Sequence, residues 1–316
     1  MPSSASTIER SETVHQQARL LAGWQQTYSQ IGMGPFSGSL SSTDRGTVRF
    51  FDEQMNREVL QTGGVPENKI GFGVPVKVGS KSYLCGESVD AGQLLVFSGS
   101  SGFEFLSPQN FRFYGIEIDV DGISDPKLAQ MTSELRQMFA QSRRAITLNS
   151  EERFILTASL DAVNRRTMGL KSALVSADQS QIDALNRQMV GTVLDCLSRD
   201  VTSPVHGVKH WDIVTQIRDL VKSNPQCPRT VAELTVELGV SRRTLQNACR
   251  DILDVSPVQY LRSLRLSEVR QTIETASSVT DVATEYGFWH LSYFARDYRV
   301  MFGESPSKTL ERYRRQ

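Results

Sequence analysis

The chain of 316 residues carries 35 basic and 35 acidic side chains, 39% hydrophobic residues and four cysteines. That length allows about two domains, each with its own core, and the zero formal charge argues against a protein that coats nucleic acid nonspecifically. No apolar stretch approaches the roughly 20 residues of a membrane span, and the polar first twenty residues lack the apolar centre of a secretion signal. Cys85, Cys196, Cys227 and Cys249 are too scattered for a C-x-x-C site.

These features predict a cytoplasmic chain with reduced cysteines, Cys249 among them a core residue. The charge divides slightly along the chain. From Val205 to Gln316 there are 16 basic and 13 acidic residues, net +3, against 19 and 22, net −3, before it. The excess at the C-terminal end points towards phosphate contact.

The expected fold class is α+β. Between about Phe36 and Val120, short runs of Val, Phe, Tyr and Ile are cut by Gly, Ser, Asn and Pro, the texture of β-strands. Candidate strands are Val48 to Phe51, Glu58 to Gln61, Lys69 to Gly73, Ser82 to Cys85, Gln93 to Phe97, Phe103 to Leu106 and Phe111 to Asp119. So many short strands in so few residues predict a small barrel or sandwich, with Phe103, Phe105, Phe111 and Phe113 facing its core.

Trailing helices are expected over about 125–199. Leu128, Met131, Leu135, Met138 and Phe139 mark the first, and Phe154, Ile155, Ala158, Ala162 and Val163 the second. A third starts near Asp178 and carries Ile182, Leu185, Met189, Val193 and Cys196 at spacings of three and four. That seam packs either in its own domain or against the same helix of a second subunit. Residues 1–199 are taken as the effector-binding or dimerisation domain, 200–208 as a linker and 209–316 as an all-α domain.

Inside the last segment one pattern occurs twice, over about 230–251 and 278–302. Val231, Glu237 and Gly239 match Val279, Glu285 and Gly287 at an offset of 48, whereas Leu245, Arg250, Ser256, Pro257 and Leu261 match Phe294, Arg299, Ser305, Pro306 and Leu310 at 49. The second copy therefore has one extra residue in its turn, and a repeat that survives an insertion at a turn is a repeat of structure.

Each copy reads helix, tight turn, helix. Thr230 and Glu233 form a capping box that opens a helix with Val231, Leu234 and Leu238 inward. Gly239 ends it, and Ser241 caps a second helix whose Leu245, Ala248, Cys249 and Ile252 face the core. The opposite face carries Arg243, Gln246, Asn247 and Arg250, side chains suited to guanine, adenine and phosphate. In the second copy Ser278 or Thr280 opens the helix and Gly287 turns it. Leu291, Phe294, Tyr298 and Met301 are predicted inward, with Ser292, Ala295, Arg296 and Arg299 outward and His290 and Tyr293 at the rim. Gly303 with Pro306 ends this unit.

Between the copies, Ser256 and Gln259 form another capping box with Pro257 at the first helical position. The helix that follows, to about Thr275, spans roughly 28 Å at 1.5 Å per residue. A spacer of that size suits two helices in adjacent major grooves, about 34 Å apart.

From Trp211 to Tyr313 the chain resembles the DNA-binding domain of AraC/XylS-type transcription regulators, through ELGVSRRTLQNACRDILDVSPVQYLRSLRLSEVRQTI and VTDVATEYGFWHLSYFARDYRVMFGESPSK. The resemblance implies base contacts from Arg243, Gln246 and Asn247 in the first unit and from Ser292, Tyr293 and Arg296 in the second. The chain departs from the family at Asn247 and Cys249, where Arg and Phe are frequent. The resemblance also implies an N-terminal cupin-like effector-binding barrel, and AGQLLVF at 91–97 looks like a turn and strand of one. FSGSL near Phe36 and NREVLQTG near Asn56 are similar to ethanolamine-type regulators of the family.

The remaining motifs point elsewhere than to chemistry. Gly71, Gly73 and Gly79 do not complete a phosphate loop, and Gly99 to Gly102 falls short of a nucleophile elbow. No histidine lies between His15 and His206, so the β-rich half has no histidine metal site. His206 and His210, four apart, lack a third ligand and read as surface or core-edge residues. Arg312, Arg314 and Arg315 form either a phosphate-binding tail or a solvated end, and Arg242 at its helix start suits a phosphate.

The function that follows is a sequence-specific DNA-binding transcription regulator, an activator by family resemblance. It has no catalytic residue, metal or cofactor, and the effector residues are unknown. Expected partners are double-stranded promoter DNA, a second copy of the chain through the N-terminal domain, a small-molecule effector and RNA polymerase. The alternative is an enzyme on the β domain with a DNA-binding tail for localisation, against which the missing nucleophile–base pair counts.

Overall fold

The computed structural model describes residues 7–44, 46–77, 81–98, 102–123, 145–169, 209–224 and 230–314, with isolated positions between 126 and 134 and between 187 and 193. Among these residues twelve strands form two antiparallel sheets. The larger contains β1 (Thr7–Ser11), β3 (Gly38–Asp44), β4 (Val48–Met55), β11 (Phe111–Asp119), β6 (Lys69–Lys77), β9 (Gln93–Ser98) and β12 (Ala145–Thr147), in that spatial order. The smaller runs β2 (Gln25–Gln30), β5 (Val59–Gly64), β10 (Phe103–Ser107), β7 (Tyr83–Leu84), β8 (Glu87–Ser88). The expected barrel is thus realised as two facing sheets that do not close, and its strands begin at Thr7, ahead of Phe36.

Alternation along the strands explains the layering. Phe51 and Met55 of β4, Leu95 and Phe97 of β9 and Phe111 and Phe113 of β11 meet Tyr28, Val59, Phe103 and Phe105 of the smaller sheet in one aromatic core. Glycines make room for the rings: a Cβ at Gly115 would lie 2.0 Å from Phe51, and one at Gly73 2.4 Å from Phe113. On the other face of the larger sheet, Val48, Ile70, Phe72, Val96 and Ile116 pack under α2 (Ser150–Gly169).

Helix α2 turns differently from the reading above. Phe154 is 72% exposed and Ile155 is exposed too, while Leu156 and Leu160, four apart, are buried on the sheet. The i, i+4 pair lies over Val48 and Ile116, and the helix has one sheet to face, so its neighbours point outward. Val193 of the predicted seam joins this same core, beside Val190, and so packs in its own domain. Ile182, Leu185, Met189, Cys196, the first predicted helix apart from scattered positions, and the linker 200–208 lie outside the described residues.

The outer face of the smaller sheet is covered by the C-terminal helices. Ile31, Leu60 and Leu106 share a core with Trp211, Val214 and Ile217 of α3 (Lys209–Ser223). The Trp211 indole donates to Glu104 at 3.0 Å, and Arg218 donates to the other oxygen of the same carboxylate. Helix α1 (Val14–Leu20), capped by Thr13, meets the same domain through His15, whose Nε2 lies 3.2 Å from the Ser267 carbonyl.

Candidate nucleic-acid interface

The two halves of the C-terminal domain are built alike. Helix α4 (Val231–Glu237) opens on the Thr230 and Glu233 capping box and ends at Gly239, whose φ of +62° only glycine adopts without strain. Helix α5 (Arg242–Leu253), capped by Ser241, buries Leu245, Ala248, Cys249, Ile252 and Leu253. Burial pushes the Cys249 thiol up to about 12, so the cysteine serves as an apolar core group. In the second half α7 (Val279–Glu285), capped by Ser278, turns at Gly287 into α8 (Leu291–Phe302).

Both first helices have seven residues and both second helices twelve. Leu245, Cys249, Ile252 and Leu253 are replaced, 49 positions on, by Phe294, Tyr298, Met301 and Phe302, all buried. The extra residue falls in the turn: Val240 stands between glycine and cap in the first copy, Phe288 and Trp289 in the second. Leu291, expected inward, is 41% exposed. It is the first residue of its helix, beyond the reach of the core that begins one turn later at Phe294.

Connecting the halves, α6 (Pro257–Ile273) carries its Ser256 and Gln259 capping box and spans 17 residues, roughly 25 Å. A cleft of about 550 Å³ opens between the units above this helix. Arg242 borders it from the first, Tyr293 and Arg296 from the second, with Arg262 along the wall. At their opposite ends both twelve-residue helices meet the β domain. Lys81 Nζ donates to the carbonyls of Arg250 and Asp251 at 3.1 and 2.8 Å, and the Gly34 amide donates to the Met301 carbonyl at 3.0 Å. The two helices therefore run with their N-terminal ends towards the cleft and their C-terminal ends against loops of the β domain.

Comparison with known proteins accords with this architecture. A helix-turn-helix domain family matches residues 234–312. Over 124 residues the chain is 36% identical to XylDLEGF operon transcriptional activator 2 of Pseudomonas putida, covering 37% of this chain and 77% of that protein. The chain belongs to the AraC/XylS-type family of transcription regulators. It is also 34% identical over 102 residues to the probable thc operon regulatory protein of Rhodococcus erythropolis, 31% of each chain. Matches of that kind span about a third of the length of the relative. The crystal structure of the AraC-like transcriptional activator CuxR aligns over 78% of this chain and 85% of that one, at 12% identity and a TM-score of 0.41.

In this family member the outward faces carry the side chains singled out from the sequence. Arg242, Arg243, Gln246, Asn247 and Arg250 are exposed on α5, and Ser292, Tyr293, Arg296 and Arg299 on α8, with Ala295 half-buried between them. His290 occupies the N-cap of α8, makes no capping bond and is exposed. The Arg296 guanidinium lies 5.1 Å from the Tyr293 ring centroid, and its Nε is 3.5 Å from Asp297.

Other expectations resolve into local structure. His210 Nδ1 pairs with Asp251 at 2.8 Å, while His206 lies outside the described residues. Arg312 pairs with Glu304 and with Glu12, and Arg314 donates to the Ser277 carbonyl; Arg315 lies outside the described residues. Two groups at the cleft escaped the sequence reading. Arg262 sits on the helix read only as a spacer, and Trp289, 60% exposed, is one of the two residues in the longer turn. The change of offset from 48 to 49 marked that turn.

Proposed function

We propose that the chain is a sequence-specific transcription regulator that reads two adjacent major grooves of double-stranded promoter DNA. The observation that carries this reading is the pair of equal helix-turn-helix units, each with an exposed polar face on its second helix, joined by one connecting helix. Arg243, Gln246 and Asn247 in the first unit and Ser292, Tyr293 and Arg296 in the second address base edges. Arg242, Arg250, His290 and Arg299, nearer the helix ends, hold the backbone. Footprinting of the full chain tests the proposal: two protected major grooves about one helical turn apart are expected, and a single protected groove counts against tandem reading.

Activation is supported by the Pseudomonas putida relatives, which are operon transcriptional activators, and RNA polymerase is the partner an activator would engage. A homodimer through residues before Pro204 is supported by exposed Phe154 and Ile155 on α2, and a small-molecule effector by the family resemblance. Among the described residues no helix is long and apolar enough to cross a membrane, and the proposed setting is the cytoplasm. Light scattering of the full chain at tens of micromolar decides the oligomeric state; a strict monomer removes the dimer from the proposal.

A further inference from the structure

The cleft between the units has a charge pattern that helix-turn-helix grammar does not account for. Four arginines converge on it from three elements: Arg242 from the start of α5, Arg262 and Arg265 from the connecting helix and Arg296 from the middle of α8. Two of them share the acidic neighbour Asp297, whose Oδ2 lies 3.4 Å from Arg262 and whose Oδ1 lies 3.5 Å from Arg296. One carboxylate stands between two guanidinium groups at distances longer than a good charge-assisted hydrogen bond, roughly 2.7–2.9 Å. Arg262 and Arg296 are about half or more exposed and both line the cleft.

The geometry of the duplex says what would fill it. Two helices that enter major grooves one turn apart on one side of DNA leave the intervening minor groove, with the two strands that border it, facing the protein. The N-terminal ends of α5 and α8 both flank the cleft, so a strand bordering that minor groove passes over its mouth. A guanidinium presents a planar fork that fits phosphate oxygens with two hydrogen bonds. Arg262 lies on the connecting helix, outside both reading helices, and faces Asp297 of the second.

We propose that the cleft is a phosphate clamp, in which Arg262 of the connecting helix binds the DNA backbone between the two major grooves and a phosphate oxygen takes the place of Asp297. The clamp rests on the function proposed above and extends it to a residue outside both helix-turn-helix units. Its role is to position the units on the duplex, and it carries no sequence information.

The test uses the full chain and a duplex of about 30 base pairs selected by that chain from a random pool, long enough for two major grooves and their flanks, with a scrambled duplex of the same composition beside it. Arg262→Gln weakens binding to both duplexes by about tenfold and lowers the salt slope by about one, and Arg262→Lys restores part of the loss. Neutral methylphosphonates on the strands bordering the central minor groove weaken the unaltered chain, and cost the Arg262→Gln chain much less. The methylphosphonate arm needs only the unaltered chain and decides the matter even if the variant folds poorly. Unchanged affinity and slope in Arg262→Gln, or no penalty from the methylphosphonates, overturns the clamp while selection of a duplex leaves the tandem reading standing. Loss confined to the selected duplex makes Arg262 a base reader and also overturns it. A chain that selects no duplex overturns the reading and the clamp together.

Discussion

Gln30 Nε2 lies 3.0 Å from the carbonyl oxygen of Met301, an acceptor in the last turn of the second reading helix. The same amide reaches the carbonyls of Gly32 and Gly34 at 2.8 Å, and the Gln30 backbone amide donates to Ser267 Oγ at 3.2 Å. One residue of the β domain thus ties the second unit to the connecting helix, while Lys81 ties the first through Arg250 and Asp251.

Replacement of the Gln30 side chain should therefore loosen the docking of the second unit. Gln30→Ala leaves Met301 its bond from Gly34 but strips one donor from three buried or half-buried carbonyls, and is expected to cost about 1–3 kcal/mol. Urea unfolding of the full chain measures this. A midpoint equal to that of the unaltered chain shows that water replaces the amide without loss.

The fragment from about Val205 to Gln316 is expected to fold by itself and to bind specific DNA as a monomer. Among the described residues the hydrophobic core of the second unit draws on residues 266–310, and that of the first takes Ile31, Leu60, Leu106 and the packing of Tyr83 from the β domain. Removal of those groups exposes Trp211 and lowers the unfolding midpoint without abolishing cooperativity. Circular dichroism with footprinting decides it; a fragment without a cooperative transition shows that the smaller sheet is an obligatory part of the first unit.

Acid should act on the domain interface through His15. Burial is the main cause that lowers its pKa from 6.5 to about 4; the Ser267 carbonyl opposes the shift, and Arg270, Arg19 and Lys222 add to it. The folded chain holds the neutral ring, whereas the unfolded chain takes up a proton below pH 6.5. The contribution of His15 is therefore complete above pH 6.5 and is lost as the pH falls towards 4. Buried Glu53 works in the opposite sense. Its pKa is raised from 4.5 to about 7, chiefly by burial and against hydrogen bonds from Gln17 and Tyr28, so its contribution fades as the pH rises through 7. Each effect is of the order of 3 kcal/mol. The stability difference between the unaltered chain and His15→Gln should grow with pH between 4.5 and 6.5, and that for Glu53→Gln should shrink. Differences that do not vary with pH would falsify both assignments.

The C-terminal half was legible because its signals are local. Thr230, Ser241, Ser256 and Ser278 cap the helices expected of them, and Gly239 and Gly287 sit at the positive φ their positions demand. The polar strands Gln25–Gln30 and Gly38–Asp44 were illegible, since they show a single large apolar side chain each, Tyr28 and Leu40, with no alternating run to mark them. The first forms by pairing with β5, distant in sequence, and the second by a hairpin with the apolar β4 that follows it. The inward face of α2 escaped for a related reason: Phe154, Ile155, Leu156 and Leu160 are all apolar, and only the sheet decides which of them it covers. Arg262 was missed because its meaning comes from Asp297, a residue on another helix.

Base reading and backbone holding should separate at Arg296. Its guanidinium rests between the Tyr293 ring at 5.1 Å and Asp297 at 3.5 Å, one turn after Ser292, where the second reading helix lies deepest in a groove. To grip a guanine through two hydrogen bonds it must leave Asp297, and the pair is exposed enough on the arginine side for that exchange to cost little. Arg296→Ala is expected to cost about 1–3 kcal/mol on a selected duplex and to relax the preference at one base pair. Arg242→Ala and Arg299→Ala, which remove backbone contacts, should weaken selected and scrambled duplexes alike and lower the salt slope by about one each. Asp297→Asn releases Arg262 and Arg296 from their shared counter-charge and should tighten both duplexes. Binding to the two duplexes over a salt series measures all four variants together. If Arg296→Ala lowers both affinities equally with a shallower slope, the second unit anchors the protein to the backbone, and sequence is read by Arg243, Gln246 and Asn247.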